Sequence, residues 1–241
     1  MKSTNQEYKF NDSLERIDEI LDASNDQFEE KDAMPSRDEL TFTNGFYVNC
    51  TALFVDICDS SDLTDYHERP VLAKIYRSFI SEMVALLNSL KSCKEVSING
   101  DCVWGVYDTP MKSDIDDVFT LAVRAGSLVD VLNYKLEKKK YKTYKVGIGI
   151  DDGRALMIKA GYNGSGINDV VWMGDVVNQA CHLCSDANQG LFDNRIFLSN
   201  VIYNNLNNYN KSFCTKDNQR DIYQSNAVNV SMNNWIMEQN K

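Results

Sequence analysis

Leu53-Phe54-Val55-Asp56-Ile57 and Ile98-Asn99-Gly100-Asp101 are the two stretches around which this chain is organised. Asp56 ends an apolar run that begins at Ala52 and is typical of a strand buried on both faces. Asp101 follows Gly100 at a tight turn between two strand-like runs, 94–98 and 102–107, which predict a hairpin. Burying a carboxylate is costly unless a cation or hydrogen-bond donors compensate it, so both acids need a partner.

Two carboxylates at neighbouring strand ends predict a shared site for a divalent cation. Oxygen ligands favour Mg²⁺ or Mn²⁺, and such ions are usually completed by the phosphates of a substrate. The alternative is structural: Asp56 caps a turn through Ser60 and Ser61, and Asp101 is an ordinary turn aspartate. Spacing alone leaves both interpretations open.

Composition limits the classes of function. The 241 residues, 43% of them hydrophobic, suffice for one sizeable domain with an appendage. The formal charge of −10 argues against a nucleic-acid surface, which needs clustered Lys and Arg. Seven cysteines without a signal peptide indicate free thiols in a reducing cytoplasm. No apolar run approaches the roughly 18 residues that cross a bilayer, so no membrane association is expected.

The order of predicted elements indicates an α+β fold. A long helix follows Pro70, a second helix spans 114–138, and two strands, 144–150 and 154–160, are predicted to be joined by a tight turn at 151–153. A short strand at 169–172 leads into a helix at 174–185. This β-α-β-β-α-β order describes a ferredoxin-like sheet with helices on one face.

Residues 1–45 differ from the rest and are predicted to form an acidic, helical extension of a domain that spans 46–241. Asp12 or Ser13 can cap a short amphipathic helix, which is too short to be stable alone and should pack on the domain or on a second copy. The acid-rich stretch 25–39 is predicted to be an extended linker.

Three motifs in the chain resemble those of the class III nucleotide cyclases, over about 47–224. They are Phe54-Val55-Asp56-Ile57 at a strand end, Gly100-Asp101 at a hairpin turn, and the stretch 174–180, which matches Gly-x-x-Val-Asn-x-Ala. Gly147-Ile148-Gly149-Ile150 also matches a strand of that family. Three motifs in order, each on the predicted element type, favour the metal site over the structural alternative.

The resemblance implies a site and a reaction. Asp56, Asp101 and the backbone carbonyl of Ile57 would hold two Mg²⁺ or Mn²⁺ ions, so that the ribose 3′-hydroxyl of a nucleoside triphosphate attacks the α-phosphate and expels pyrophosphate. Asn178 would orient the ribose, although a helix-surface amide is the ordinary alternative. Since the family's site lies between two catalytic domains and this chain has one set of motifs, the resemblance implies a homodimer.

One departure from the family's pattern concerns catalysis. Four residues after Asn178 the family usually has an arginine that stabilises the transition-state phosphate, and this chain has His182. A protonated imidazole can partly replace that charge, or His182 is simply a helix residue beside Cys181 and Cys184. The same three residues would suggest zinc only if a further ligand pair lay nearby.

Other departures concern the base. Ser97 and Val171 occupy the positions where adenylate cyclases read adenine with a lysine and an aspartate, and they do not match the guanine pair either. Purine substrates are therefore disfavoured, because the purine edge would be left unsatisfied. Tyr47 lies on a strand that can face a base.

The stretch 96–107 resembles the pyrimidine cyclases of bacterial Pycsar antiphage defence, whose cyclic UMP or cyclic CMP activates a separate effector. UTP is the favoured substrate. Alternatives are a cytidylate cyclase, an adenylate or guanylate cyclase, and a catalytically silent nucleotide-binding dimer.

Overall fold

The computed structural model describes residues 2–190 and 194–240. Its helices are α1 (Phe10–Leu21), α2 (Ser61–Tyr66), α3 (Arg69–Leu87), α4 (Lys112–Lys138), α5 (Asp175–Asp186), α6 (Asn200–Asn205), α7 (Asn208–Lys211) and α8 (Val230–Gln239). Its strands are β1 (Phe28–Glu30), β2 (Gly45–Ile57), β3 (Cys93–Asn99), β4 (Cys102–Tyr107), β5 (Val146–Tyr162), β6 (Ile167–Met173), β7 (Ile196–Leu198), β8 (Cys214–Asp217) and β9 (Ile222–Ser225).

The chain divides into two compact units. The first holds the residues up to Asn49 together with Arg154–Asp175, and the second holds Cys50–Gly153 and the residues from Val176 onward. Strands β2 and β5 contribute residues to both units. None of the helices in the described part of the chain is long and apolar enough to cross a membrane.

The second unit contains the predicted ferredoxin-like arrangement. Its strands are ordered β3-β4-β2-β5-β7-β9-β8, and β2, α3, β3, β4, α4 and β5 follow one another in the β-α-β-β-α-β sequence. β4 pairs antiparallel with both β2 and β3, while β5 and β7 are parallel. The hairpin around Gly100 and Asp101 is confirmed, because Asn99 pairs with Cys102 across the turn. Gly100 has φ +65°, a conformation that glycine adopts without strain.

Helices α3 and α4 cover one face of this sheet and form the main core. Alternate residues of β2, namely Leu53, Val55 and Ile57, point into that core, as period-2 side-chain alternation requires. The buried hydroxyl of Tyr107 donates a 3.0 Å hydrogen bond to the Leu87 carbonyl at the end of α3. Phe54 and Asp56 therefore point to the opposite face of the sheet.

Helix α5 packs on that opposite face, so the prediction of helices on one face only is wrong. A side-chain carbon added at Gly149 would lie 2.1 Å from the Ala180 carbonyl oxygen, and one at Gly147 would lie 2.1 Å from the Cys184 carbonyl oxygen. Only glycine permits the helix backbone to approach the strand this closely. The Gly147-x-Gly149 pattern thus fixes the position of α5 on β5.

The first unit is built on strand pairs that extend β2 and β5. β1 pairs parallel with β2, and β6 pairs antiparallel with β5 from Leu156–Met173 to Tyr162–Ile167. The predicted linker at 25–39 is therefore wrong in part, since Phe28–Glu30 is a strand. The predicted turn at 151–153 is also wrong, because β5 runs without interruption through these residues. The actual hairpin turn follows Tyr162, where Gly164 and Gly166 have positive φ.

Helix α1 also belongs to the first unit and differs from the prediction at its start. It begins at Phe10 after Lys9, which makes no side-chain cap, so neither Asp12 nor Ser13 is the cap. Asp12 lies instead in the first turn, where a negative charge favours the helix N-terminus. None of its residues is buried, and Leu14, Ile17 and Ile20 are exposed.

Candidate active site

Asp56 and Asp101 come from two neighbouring elements of the second unit. β2 delivers Asp56 one residue before its end, and the β3–β4 turn delivers Asp101. Because Val55 pairs with Val103 in the antiparallel β2–β4 ladder, the last residues of β2 lie beside the hairpin turn. The two carboxylates that sequence analysis selected are thus brought together by strand register.

The two aspartates line a cavity of about 350 Å³. Ile57, whose carbonyl was the third predicted metal ligand, lines it as well. The other lining residues come from the segment after β2, from the end of α5 and from the segment after it; they are Cys58, Asp59, Ser60, Ser61, Cys184, Ser185 and Gln189. The cavity is therefore polar on the side of the aspartates and has room for phosphate groups.

The carboxylate of Asp56 is held in an unfavourable environment. Its Oδ1 atom is buried and has no hydrogen-bond partner among the described residues. Burial, and next the negative charge of Asp101, raise the pKa of Asp56 to about 6, although a hydrogen bond with the Ile57 backbone acts in the opposite direction. A buried acceptor without a donor normally costs about 1–3 kcal/mol. A cation beside Asp56 would bind the unpaired oxygen and would offset the repulsion between Asp56 and Asp101.

These residues fit a divalent cation of the Mg²⁺ class. Asp56 offers an unpaired carboxylate oxygen, Asp101 adds a second hard oxygen ligand, and the two negative charges repel each other in the absence of a cation. Within residues 2–190 and 194–240, no group of three or more His, Cys, Asp or Glu side chains is arranged to hold a metal ion.

Asn178 and His182 lie on α5 but not in the cavity that contains Asp56. They are four residues apart and both exposed, so they share one face of the helix. Ser185 continues this stripe at helical spacing and does line the cavity, as does Gln189, which follows the end of α5. Asn178 precedes Ser185 by seven residues, which is about 10 Å along a helix. The structure therefore separates Asn178 from Asp56 within one chain.

The cysteines beside His182 do not form a zinc site. Cys184 is buried and its thiol donates a 3.2 Å hydrogen bond to the Gly147 carbonyl, whereas Cys181 and His182 are exposed. The helix thus directs these side chains in different directions. All seven cysteines of the chain are free thiols.

The predicted base-reading residues lie in both units. Ser97 is on β3 in the second unit and pairs with Trp104 of β4. Val171, on β6, and Tyr47, on β2, belong to the first unit. Val171 is 38% exposed and pairs with Ile158. The Arg154 guanidinium lies 3.8 Å from the centre of the Tyr47 ring, and both residues line a cavity of about 380 Å³ with Met173 and Asp175.

Several residues of the site were not predicted from the sequence. Ser185 continues the stripe of Asn178 and His182, so extending the helical spacing past the third motif would have found it, whereas Gln189 follows the end of α5 and has no such signal. Arg154 carries no motif, and only the structure shows that it covers Tyr47 and forms an ion pair with Glu30.

This combination of fold and paired aspartates is that of a nucleotide cyclase. A family model described as the adenylate and guanylate cyclase catalytic domain matches residues 43–238. The chain belongs to this family, the class III nucleotide cyclases. Catalytic domains of the family act on nucleoside triphosphates and generally depend on divalent metal ions.

The chain is also similar to individual proteins of known name and to solved structures. A protein named uridylate cyclase from Gulbenkiania mobilis is 40% identical over 261 aligned positions, which cover 100% of both chains. A uridylate cyclase from Treponema porcinum is 34% identical and covers 95% of this chain and 81% of the relative. Among solved structures, the adenylyl cyclase CyaB from P. aeruginosa matches with a TM-score of 0.64 at 18% identity, covering 78% of this chain and 98% of that one. The last match concerns the fold alone.

Proposed function

We propose that the protein is a uridylate cyclase, which converts UTP to 3′,5′-cyclic UMP and pyrophosphate. The observation that carries this proposal is the pair Asp56 and Asp101, with an unpaired carboxylate oxygen beside a polar cavity. The name of the two relatives supports the choice of uracil. The departures at Ser97 and Val171 from the purine-reading residues agree with it.

The reaction is an internal phosphoryl transfer. Asp56, Asp101 and the Ile57 carbonyl would hold two Mg²⁺ or Mn²⁺ ions, which when bound lower the pKa of the ribose 3′-hydroxyl and neutralise the triphosphate. The 3′-oxygen releases its proton to solvent water and forms a bond to the α-phosphorus, while the bond from that phosphorus to the bridging oxygen of the β-phosphate breaks and pyrophosphate leaves. The two carboxylates lie together at this end of the sheet, an arrangement that favours a substrate accompanied by cations.

Asn178 supports a site shared by two copies of the chain. It lies about 10 Å along α5 from the part of the helix that meets the Asp56 cavity. We therefore propose a head-to-tail homodimer, in which Asn178 of the partner subunit orients the ribose above Asp56. Two equivalent sites result from this symmetry.

His182 is proposed to take part in catalysis beside Asn178. It shares the exposed face of α5 with Asn178, so a partner that supplies one supplies the other. In its protonated form its imidazolium would stabilise the negative charge on the transferring phosphate, which is the role of arginine elsewhere in the family.

Base selection is assigned to Ser97, Val171 and Tyr47. Neither the Ser97 hydroxyl nor the Val171 side chain can supply the charged pair that reads adenine. Uracil and cytosine differ only in their hydrogen-bonding edge, so CTP is the closest alternative substrate.

The test is to incubate the purified protein with ATP, GTP, CTP and UTP in Mn²⁺ and identify the cyclic products by mass. Cyclic UMP should dominate, and Asp56→Asn should remove it. Asp62→Asn is a matched control, because Asp62 is an exposed carboxylate paired with Lys142 and lies outside the Asp56 cavity. A wild-type protein that makes only a purine cyclic nucleotide would overturn the proposed substrate.

We also propose that the product acts as a second messenger in Pycsar antiphage defence and binds a separate effector protein. This role follows the resemblance of residues 96–107 to those cyclases. Bacteria that carry the gene with its effector should resist phage infection, and Asp56→Asn should abolish resistance. Equal resistance with the Asp56→Asn variant would contradict this role.

A catalytically silent nucleotide-binding dimer is the second candidate, and the replacement of the family's arginine by His182 favours it. Such a protein would be thermally stabilised by UTP without releasing pyrophosphate. Release of pyrophosphate that depends on Asp56 excludes it.

A further inference from the structure

Phe54, Trp104 and Ser97 form one row across three adjacent strands. Phe54 of β2 pairs with Trp104 of β4, and Trp104 pairs with Ser97 of β3. Directly paired residues of a ladder point to the same face of the sheet. This row therefore lies on the face that carries Asp56, opposite to α3 and α4.

Two of the three places in this row are filled by stacked rings. The ring centres of Phe54 and Trp104 are 4.8 Å apart, and their planes are within 3° of parallel. Phe54 covers one face of the indole. The strand order β3-β4-β2 puts Ser97 on the other side of Trp104, and a serine side chain is too small to cover the second indole face.

Two polar atoms in this row have no partner. The Trp104 Nε1 atom is buried and lacks a hydrogen bond, and the hydroxyl of Ser97 likewise bonds to no other residue in the described part of the chain. The indole ring is therefore held by packing, including its stack on Phe54, and not by a hydrogen bond. The Ser97 hydroxyl, which can donate and accept, remains available beside it.

We propose that Trp104, which is only partly buried, is a specificity-determining residue of the cyclase and that the pyrimidine base stacks on the indole face opposite Phe54, above Ser97. This inference rests on the proposed function and deepens it. A base in this position takes the place of a third ring in the row. The Ser97 hydroxyl lies next to the edge of the base, where it can donate to a uracil carbonyl or accept from the ring N–H.

The experiment compares Trp104→Leu and Trp104→Phe with the wild type, using UTP turnover in Mn²⁺. Base–aromatic stacking predicts that Trp104→Leu lowers kcat/KM about 10- to 100-fold, while Trp104→Phe, which keeps a ring, loses less than about 5-fold. Inhibition by inorganic tripolyphosphate, which has no base, should be unchanged in both variants. Trp235→Leu is the matched control, because Trp235 contacts Tyr134 on α4 and lies outside this row.

A second readout does not depend on turnover. Titration with α,β-methylene-UTP, which cannot react, should quench tryptophan fluorescence in the wild type and in Trp235→Leu, and this quenching should be lost in Trp104→Phe. The inference is wrong if Trp104→Leu keeps kcat/KM within about twofold, or if it weakens tripolyphosphate inhibition as much as UTP turnover. Failure of the wild type to make cyclic UMP would instead overturn the proposed function, so the two failures are distinguishable.

Discussion

Asp56 and Asp152 are both half-buried carboxylates of the second unit, and burial raises the pKa of each. They differ in their partners. Asp152 Oδ1 accepts hydrogen bonds from the hydroxyls of Thr51, at 2.7 Å, and Thr109, at 3.2 Å. Asp56 Oδ1 accepts none from the described residues. The same residue type at a similar depth is thus structural in one place and open to a ligand in the other.

The sheet explains why these two acids have different surroundings. Thr51 and Asp56 are five residues apart on β2, and an odd separation along a strand puts two side chains on opposite faces. Thr51 and Asp152 meet on the face covered by α3 and α4, where their polar atoms must be satisfied internally. Asp56 faces the cavity, where a cation and a substrate can satisfy it.

The largest expected effect is on cyclase activity, which should depend on Asp56 and not on Asp152. Asp56→Asn should lower cyclase activity at least about 1,000-fold, because it removes a charged ligand from the proposed metal site. Asp152→Asn should leave the activity of the folded protein within about twofold. Turnover measured with protein that has passed size-exclusion chromatography tests both. Equal losses in the two variants would contradict the division into functional and structural acids.

The second prediction concerns stability. Asp152→Ala should lower the free energy of unfolding by about 2–3 kcal/mol, since the hydroxyls of Thr51 and Thr109 lose their acceptor. Urea unfolding followed by circular dichroism measures this change. Asp62→Ala, at an exposed site, serves as the control and should change stability by less than about 0.5 kcal/mol.

The sequence predicts much of this contrast but not all of it. Asp56 and Asp101 are recognisable because a carboxylate at the end of an apolar run is costly, and the Gly100 turn puts the second acid beside the first. Asp152 is not recognisable, because Asp-Asp-Gly has the composition of a hairpin turn. Tertiary hydrogen bonds from Thr51 and Thr109 hold it in a continuous strand instead.

The position of α5 was also only partly predictable. Its third motif predicts a helix with Asn178 on it, and the structure has that helix. Which face of the sheet it covers depends on the close approach of its backbone to Gly147 and Gly149, which are distant in sequence. Likewise, no local pattern indicates that Arg154 covers the Tyr47 ring.

The third prediction uses the raised pKa of Asp56. Folded Asp56 binds its proton up to about pH 6, whereas an unfolded aspartate releases it near about pH 3.9, so the folded state loses stability as the pH rises between these values. Asp56→Asn should remove this loss. The variant should therefore be more stable than the wild type by about 1–2 kcal/mol at pH 7.5, after allowance for solvent screening.

Thermal unfolding of both proteins without added metal, from pH 4 to pH 8, measures this effect. The difference in Tm should grow up to about pH 6 and stay constant above it. A difference in Tm between the two proteins that does not change with pH would mean that Asp56 is solvated in the folded protein. Asp152→Asn should reproduce this gain only in part, because the hydrogen bonds from Thr51 and Thr109 act against the effect of burial on the pKa of Asp152.

The smallest expected effect tests whether the threonines act together. The Thr51 and Thr109 hydroxyls lie 2.7 Å apart, and each is within hydrogen-bond distance of Asp152 Oδ1. Thr51 can therefore keep its bond to Asp152 when Thr109 is changed. Thr109→Val should therefore cost only about 1 kcal/mol, the value of one hydrogen bond, in urea unfolding. Thr120→Val makes the same chemical change on an exposed turn of α4 and should change stability by less than about 0.5 kcal/mol. A loss for Thr109→Val as large as that of Asp152→Ala would show that all of the hydrogen bonding to Asp152 depends on the Thr109 hydroxyl. The contrast between a well-bonded Asp152 and an unpaired Asp56 would then be smaller than the contacts indicate.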